Sequence, residues 1–189
     1  MRDGKKTKER ISRTALDLFV AKGITETTIR DIAQAAGVAE GTLYRHYESK
    51  DDLAWELFAQ NFMAFAKELE QLHVPRETLK DKLSAMILQF CHFYDKDPVL
   101  FNYLLLAQHA QLKKVTPEMP NPVVVVRDVI AQAMLRREIP VGDPDVLAAM
   151  VLGVVLQVAT FKIYGRVAEP LTNLSDILIK TCFQVLNIE

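Results

Sequence analysis

The stretch TIRDIAQAAGVAEGTLYRHYESK, residues 28–50, has the pattern of two short helices joined by a tight turn. Thr28 is a helix-capping residue, and Asp31 follows it three positions later, which is the spacing of a capping box. Gly37 is the residue type that commonly ends a helix in the left-handed conformation, and only two residues separate it from the next helical stretch. The sequence therefore predicts a helix-turn-helix.

The second helix of this pair carries more polar groups than packing requires. On a helical wheel Leu43 and Tyr47 fall on one side, facing the apolar stripe of the first helix, and the other side is left to polar residues. In a helix-turn-helix the second helix lies in the major groove of DNA with its first residues on base edges. A solvated surface helix is the alternative interpretation. The capped helix, the turn glycine and the basic preceding helix occur together at the spacing of a helix-turn-helix. This combination favours a surface that binds nucleic acid.

Residues 15–53, ALDLFVAKGITETTIRDIAQAAGVAEGTLYRHYESKDDL, resemble the DNA-binding domain of the TetR (tetracycline repressor) family of transcriptional regulators. The resemblance implies a homodimer, a palindromic operator and a C-terminal domain whose small-molecule effector usually weakens DNA binding. Carried over residue by residue, it implies DNA contacts from Thr28, Arg30, Glu40, Gly41, Thr42, Tyr44, Arg45, His46 and Lys50.

The chemistry of these side chains suits such contacts. Thr42 can contact a base edge or a thymine methyl, Arg45 can donate two hydrogen bonds to guanine, and the neighbouring tyrosine, histidine and lysine can reach phosphates. Glu40 departs from many relatives, which carry a neutral or basic residue near the start of this helix. An acid there either accepts from a cytosine amino group or repels phosphate, so the operator sequence is not predicted.

Charge is unevenly distributed along the 189 residues. The first 50 residues hold ten basic and seven acidic side chains, and the remainder holds 13 basic and 17 acidic ones. This asymmetry indicates two tasks, and we predict a helix-turn-helix domain at 1–50 and a helical effector-binding and dimerisation domain at 51–189.

Two cysteines in apolar surroundings, and an opening MRDGKKTKER with no apolar run behind it, predict a cytoplasmic protein. The longest apolar run, 146–161, is shorter than the roughly 20 residues that span a membrane, and it is interpreted as a buried helix.

Apolar residues recur at helical spacing in nearly every segment, and strand-like alternation is scarce. We expect an all-α fold of about nine helices, with three in the helix-turn-helix domain and the rest in a larger helical domain. A first helix near 5–22 ends at Gly23, and a long helix opens at Ser49 and stops at Pro75. Val123 to Val126 could alternatively form a short strand.

The last third of the chain is expected to form a dimer interface. The segment 146–161 is apolar on almost every face, which a helix needs only when partners surround it, and Gly153 and Ala148 permit close approach. With the apolar stripe of segment 171–187 it could form an intersubunit four-helix bundle, burial within one subunit being the alternative. The predicted interface residues are Leu147, Val151, Val154, Val158, Leu174, Leu178 and Cys182.

An effector pocket is predicted in the central segments, although most aromatic and methionine side chains at helical spacing are simply core. Gln157 and His109 stand in apolar helices, where a buried polar group needs a partner. The predicted pocket residues are Phe62, Phe65, Met86, Phe90, Tyr103, His109, Met134 and Gln157.

No cofactor, metal site or catalytic residue is predicted. The spacing of Cys91, His92 and His109 matches no familiar set of metal ligands. The sequence contains no motif that pairs a nucleophile with a general base, so it does not indicate an enzyme. The leading functional prediction is a ligand-responsive repressor that binds operator DNA as a dimer. The alternative is a DNA-binding regulator whose body only dimerises or binds a protein partner, without a small-molecule effector.

Overall fold

The computed structural model describes residues 2–188, and the regular structure of this range is helical. Two short 3-10 helices, Leu112–Lys114 and Leu171–Leu174, accompany nine α-helices within it. The prediction of an all-α fold with about nine helices is confirmed. The helices are α1 (Arg2–Lys22), α2 (Ile29–Ala36), α3 (Glu40–Tyr44), α4 (Lys50–His73), α5 (Leu79–Lys96), α6 (Pro98–Gln111), α7 (Pro122–Leu135), α8 (Pro144–Ile163) and α9 (Ser175–Val185).

Capping residues in the local sequence set the starts of the later helices. Asn121 accepts a hydrogen bond from the Val123 amide at 2.9 Å, and Pro122 occupies the first turn of α7. Asp143 caps α8 in the same way. The alternative of a strand at 123–126 is wrong, because a side-chain cap followed by proline favours a helix over the β-branched run behind it.

The chain divides into two compact units. The first consists of the chain up to Asn61 together with Val99–Thr116, so it contains α1, α2, α3, the first half of α4, and α6. The second consists of Phe62–Pro98 and the chain from Pro117 onward. The functional division expected at residue 50 stays a prediction. The first compact unit extends beyond that point and includes a helix from the middle of the chain.

α6 completes the core of the first unit. Tyr103 is 2% exposed, its hydroxyl donates to the Ala54 carbonyl oxygen at 2.6 Å, and its ring stacks on Phe19 with centroids 5.9 Å apart. Burial raises the pKa of the Tyr103 hydroxyl, which keeps it a hydrogen-bond donor. Just beyond α6, the Lys114 ammonium lies 5.5 Å from the centre of the Trp55 ring. These contacts join α6 to α1 and α4.

In the second unit, α5 and α8 each pack against α7 and α9. Asp95, near the end of α5, accepts hydrogen bonds from the Leu171 amide and from the amide and hydroxyl of Thr172, at 3.0, 2.9 and 2.8 Å. At the start of α5, the Leu79 amide donates to the Glu138 carboxylate at 2.6 Å. Two carboxylates therefore tie the ends of α5 to segments distant in sequence.

α8 has a long apolar surface, of which the chain itself buries Ala148, Val151, Val155 and Ala159. The most apolar 18-residue window of this 20-residue helix has a mean hydropathy of 2.1, and 22% of that window is buried. Within residues 2–188 it is the one helix that is long and apolar enough, by length and composition alone, to cross a membrane. The apolar run 146–161 lies within a longer helix, Pro144–Ile163, that packs against α7 and α9, and its further burial by a second copy of the chain stays a prediction.

Candidate nucleic-acid interface

α2, the first helix of the helix-turn-helix, begins with the predicted capping box. The Asp31 amide donates to the Thr28 hydroxyl oxygen at 3.1 Å, and the Thr28 amide donates to the Asp31 carboxylate at 3.0 Å. The backbone hydrogen bond from Thr28, followed by the side-chain one, holds the pKa of Asp31 below its ordinary value. The start of α2 is thus set by residues three positions apart.

Gly37 makes the tight turn between α2 and α3. Its φ of 63° and ψ of 42° are left-handed, a conformation that glycine adopts without steric cost. The Val38 amide then donates to the Ala33 carbonyl oxygen at 3.0 Å, which satisfies a carbonyl at the end of α2. The predicted turn is confirmed.

α3 is five residues long and is fixed by two side chains that point inward. Leu43 is fully buried, and Tyr47, three residues after the end of the helix, is 3% exposed. Gly41 and Arg45 lie one helical turn apart on the opposite side, and both are exposed. α3 therefore presents a narrow face to solvent, with Arg45 at its C-terminal end.

All nine residues predicted to contact DNA lie in the first unit, and none of them is buried. Their contacts with DNA stay a prediction, but their positions between the start of α2 and the start of α4 allow one ligand to reach them. The exposed members are Thr28, Arg30, Glu40, Gly41, Tyr44 and Arg45, and the half-buried ones are Thr42, His46 and Lys50.

Lys50 has a partner within the chain. Its ammonium donates to the Thr25 carbonyl oxygen at 3.0 Å, which joins the loop before α2 to the first residue of α4. An ammonium has three N–H donors, so two are left for a phosphate. Sequence analysis did not predict this contact, because it joins residues 25 positions apart.

A polar cluster behind α3 also escaped prediction from the sequence. Tyr47 and Ser12 share a hydrogen bond of 2.8 Å between their hydroxyl groups. The Lys8 ammonium lies 5.2 Å from the centre of the Tyr47 ring and 2.6 Å from the Glu56 carboxylate. Burial raises the pKa of Tyr47, and the hydrogen bond with Glu56 raises the pKa of Lys8, so both keep their protons near neutral pH. The cluster links α1, the segment after α3, and α4.

The residues predicted for an effector pocket are divided between the two units. Tyr103 and His109 belong to the first, where the Tyr103 hydroxyl is already hydrogen-bonded to Ala54. The remaining six belong to the second unit, where three are buried and Phe65 stacks on Phe93 with centroids 4.9 Å apart. These six are Phe62, Phe65, Met86, Phe90, Met134 and Gln157.

Two of these expectations need correction. His109 and Gln157 are exposed in the single chain, so neither is a buried polar group there, and burial of Gln157 by a second copy stays a prediction. A shallow groove of about 610 Å³ opens on the second unit beside Thr78 and Ile179, and it contains none of the predicted pocket residues. The position of an effector pocket stays a prediction.

The predicted dimer residues are divided between the core and the surface of the chain. Val151, Leu178 and Cys182 are buried, and the Cys182 thiol lies 3.9 Å from the Val151 carbonyl oxygen. Burial raises the pKa of this thiol to about 11. The contact between Cys182 and Val151 joins α9 to α8 within one chain, and Ala148 of α8 is buried as well. The role of these residues in a dimer stays a prediction. The other four, Leu147, Val154, Val158 and Leu174, are half-buried.

A different face of α8 is available to a partner. Val146, Met150 and Phe161 are 48%, 51% and 46% exposed and recur at helical spacing. Gly153 is exposed between them. An exposed apolar stripe of this kind, interrupted here by Gln157, usually marks an interaction surface.

Metal binding finds no support in the described part of the chain. Within residues 2–188 no three His, Cys, Asp or Glu side chains are grouped so that they could hold a metal ion. Cys91 is buried, and burial together with nearby Asp95 raises the pKa of its thiol to about 11.

Sequence comparisons identify the helix-turn-helix region. The family described as bacterial regulatory proteins, tetR family, matches residues 11–60. The proposed mycofactocin biosynthesis transcriptional regulator MftR of Mycobacterium tuberculosis is 32% identical over 138 residues, which cover 69% of this chain and 65% of MftR. The HTH-type transcriptional regulator AcrR of Shigella flexneri is 38% identical over 96 residues, or 46% of this chain and 45% of AcrR. The chain spans less than two thirds of the length of either relative.

Solved structures share the fold over nearly the whole chain. The fatty acid degradation regulator FadR of Bacillus halodurans has a TM-score of 0.81 at 18% identity, covering 93% of both chains. The transcriptional regulator FadR of Bacillus subtilis, solved in complex with stearoyl-CoA, has a TM-score of 0.74 at 20% identity, covering 92% of this chain and 96% of that one. At these identities the likeness shows the fold alone.

Proposed function

Because the chain belongs to the TetR family of bacterial regulatory proteins, we propose that it is a transcriptional repressor that binds a palindromic operator as a homodimer. We further propose that a small, largely apolar effector releases it from DNA, and that it acts in the cytoplasm without a cofactor. The observation that carries the proposal is the outward face of α3, where Gly41 and Arg45 are exposed opposite buried Leu43 and Tyr47. A capped helix-turn-helix that presents its second helix in this way fits the major groove.

The roles proposed for the exposed side chains follow from their chemistry. Arg45, at the C-terminal end of α3, donates two hydrogen bonds to a guanine, and Thr42 contacts an adjacent base edge. Tyr44, His46 and the free N–H groups of Lys50 hold phosphates. Thr28, whose oxygen accepts the capping hydrogen bond, keeps its hydroxyl hydrogen for a further phosphate oxygen.

The dimer is proposed to form through the uncovered face of α8 together with α9. Val146, Met150 and Phe161 supply apolar area, and complete burial of a side chain of this size contributes about 1.5–3 kcal/mol. Gly153 lies between them and lets a partner helix approach closely. Two copies joined here present two copies of α3, which must match half-sites about 34–36 Å apart or a multiple of that spacing.

An effector is proposed because one protein of this fold was solved with a small molecule bound. The structure of Bacillus subtilis FadR contains stearoyl-CoA, so fatty acyl-CoA thioesters are the first class to test. A coupling free energy of about 1–3 kcal/mol is typical of such regulation, and it is reciprocal. Titration calorimetry of an acyl-CoA with and without operator tests this part. Equal affinity in both conditions would favour the alternative function, a DNA-binding regulator without a small-molecule effector.

Selection of bound duplexes from a random DNA library tests the DNA-binding proposal itself. We expect enrichment of an inverted repeat whose half-sites are centred about 10–10.5 base pairs apart, or a multiple of that spacing. The Arg45→Ala variant, carried through the same selection, serves as the matched control and should lose preference at one position of each half-site. Absence of any enriched sequence for the wild-type protein at low salt would refute the proposal.

A further inference from the structure

Tyr47 carries a hydroxyl group that packing alone does not require. Its side chain is 3% exposed and lies in the core, a position that an apolar ring would fill equally well. A buried hydroxyl costs free energy unless it is hydrogen-bonded, and this one shares a hydrogen bond of 2.8 Å with the Ser12 hydroxyl of α1. The chain therefore provides two matching groups, 35 positions apart, for one directional contact.

A second group from α1 holds the face of the same ring. The Lys8 ammonium lies 5.2 Å from the centre of the Tyr47 ring, and Lys8 precedes Ser12 by one helical turn, so both side chains lie on one face of α1. The ammonium is itself held by the Glu56 carboxylate of α4 at 2.6 Å, to which the Gln60 side-chain amide also donates at 2.6 Å. The hydroxyl and the face of the ring are therefore held at the same time.

α3 depends on its surroundings for its direction. It is five residues long, and its N-cap residue, Ala39, makes no side-chain hydrogen bond. Leu43 is fully buried, but apolar contacts are not directional. The hydrogen bond with Ser12 is directional, and Tyr47 is joined to α3 by its amide, which donates to the Leu43 carbonyl oxygen at 3.0 Å. A displacement of Tyr47 is therefore transmitted to α3 through the backbone.

Tyr47 also stands close in sequence to side chains assigned to DNA. Arg45 precedes it by two positions, and Lys50 follows it by three. We propose that Tyr47 is a positioning residue for Arg45, because its hydrogen bond with Ser12 sets the direction of α3 against α1. Tyr47 acts from inside the protein, since its side chain is buried and does not face a duplex. This inference rests on the proposed DNA-binding function.

The contacts with DNA differ in how much displacement they tolerate. Hydrogen bonds from Arg45 to a base weaken steeply beyond about 3.2 Å between donor and acceptor, so a tilt that moves the guanidinium by about 1 Å removes them. Phosphate binding is mainly electrostatic, and a long side chain such as that of Lys50 follows a small displacement. Loss of the Tyr47–Ser12 hydrogen bond should therefore reduce sequence discrimination more than total affinity for DNA.

The test compares Tyr47→Phe, Ser12→Ala and the double variant of the full chain, each measured against the selected operator and against random duplex. Tyr47→Phe keeps the buried ring and removes only the hydroxyl. We expect each single variant to bind the operator about five- to tenfold more weakly, with unchanged affinity for random duplex. The double variant should be no weaker than either single variant, because all three lack the same hydrogen bond. The salt slope of log K should stay unchanged, since no phosphate contact is removed.

Tyr103→Phe is the matched control, because it removes a hydroxyl hydrogen bond from another buried tyrosine of the same unit, at 2.6 Å to the Ala54 carbonyl oxygen. It should lower stability and leave operator affinity unchanged. An equal loss of operator affinity in Tyr103→Phe would assign the effect to the stability of the unit and overturn the inference. Wild-type operator affinity in Tyr47→Phe, or additive losses in the double variant, would overturn it as well. A wild-type protein that binds no duplex would instead refute the proposed function on which the inference rests.

Discussion

Tyr103 in α6 donates its hydroxyl hydrogen to the carbonyl oxygen of Ala54 in α4, at 2.6 Å and across 49 positions of sequence. The same ring stacks on Phe19 of α1. The compact unit that contains the helix-turn-helix is therefore not complete at residue 61, because its core includes a side chain from α6. Substitutions at Tyr103 therefore measure how much this side chain of α6 contributes to the stability of the unit.

We expect Tyr103→Phe to lower the free energy of unfolding by about 0.5–1.5 kcal/mol, since it removes one buried hydrogen bond. Tyr103→Ala should cost about 3–5 kcal/mol, because it also empties the space of a buried ring. Urea denaturation measures both. Tyr164→Phe is the matched control, since Tyr164 is 66% exposed and should change stability by less than about 0.5 kcal/mol. Equal effects of the two Tyr→Phe changes would show that the Tyr103 hydroxyl contributes nothing.

Asp95 is expected to make stability depend on acid pH. Burial raises the pKa of Asp95, but hydrogen bonds from Thr172 and Leu171 outweigh it, and the net pKa lies below the ordinary value. A carboxyl whose pKa is lower in the folded state contributes stability that is fully present above the unfolded pKa, about 3.9. That stability is lost as the pH falls through the lower, folded pKa.

Asp95→Asn tests this dependence. The variant should be less stable than the wild type by about 1–3 kcal/mol at pH 7, and the difference should shrink below about pH 4 as the wild-type carboxyl takes up its proton. Urea denaturation from pH 3 to 7 follows it. A constant difference between the two proteins across this range would contradict the assignment.

The dimer is proposed to form through the exposed face of α8, so a charge placed on that face should separate the two copies. Met150→Glu places a charge on the exposed stripe, so we expect a folded, soluble monomer in sedimentation with unchanged helix content. Leu178→Glu is the contrasting variant, because Leu178 is buried within the chain, and it should unfold the protein instead. A Met150→Glu protein that still sediments as a dimer would rule out this face as the interface.

The DNA-facing side chains are expected to separate into two classes. Tyr44→Ala and Lys50→Ala should weaken binding to all duplexes, and loss of the Lys50 charge should reduce the salt slope of log K by about one. Arg45→Ala should mainly relax sequence preference, at a cost of about 1–3 kcal/mol in discrimination. Fluorescence anisotropy at several salt concentrations distinguishes these outcomes. Wild-type behaviour in all three variants would show that α3 does not face the duplex.

The parts of the structure that could be predicted from sequence are those that depend on near neighbours. The capping box at Thr28 and the left-handed turn at Gly37 involve residues within a few positions of each other, so the pattern alone was sufficient. The inward positions of Leu43 and Tyr47 followed from helical periodicity in the same way.

The packing of α8 could not be predicted from local sequence patterns. Its residues are apolar on nearly every side, so periodicity could not indicate which side packs on α9, and Val151 was assigned to the dimer interface although it is buried within the chain. The contacts of Lys50 with Thr25, and of Tyr103 with Ala54, depend on the folded path of the chain. No local pattern marks them.

The inclusion of Val99–Thr116 in the first unit also has a consequence for synthesis on the ribosome. Ala54 leaves the ribosome 49 residues before Tyr103, a delay of about 2–10 s at ordinary rates of elongation. In that interval the chain adds Phe62–Pro98, which belong to the second unit. The nascent helix-turn-helix therefore waits with an incomplete core until Val99–Thr116 have been added, and the second unit, which also needs the chain from Pro117 onward, is completed only after it.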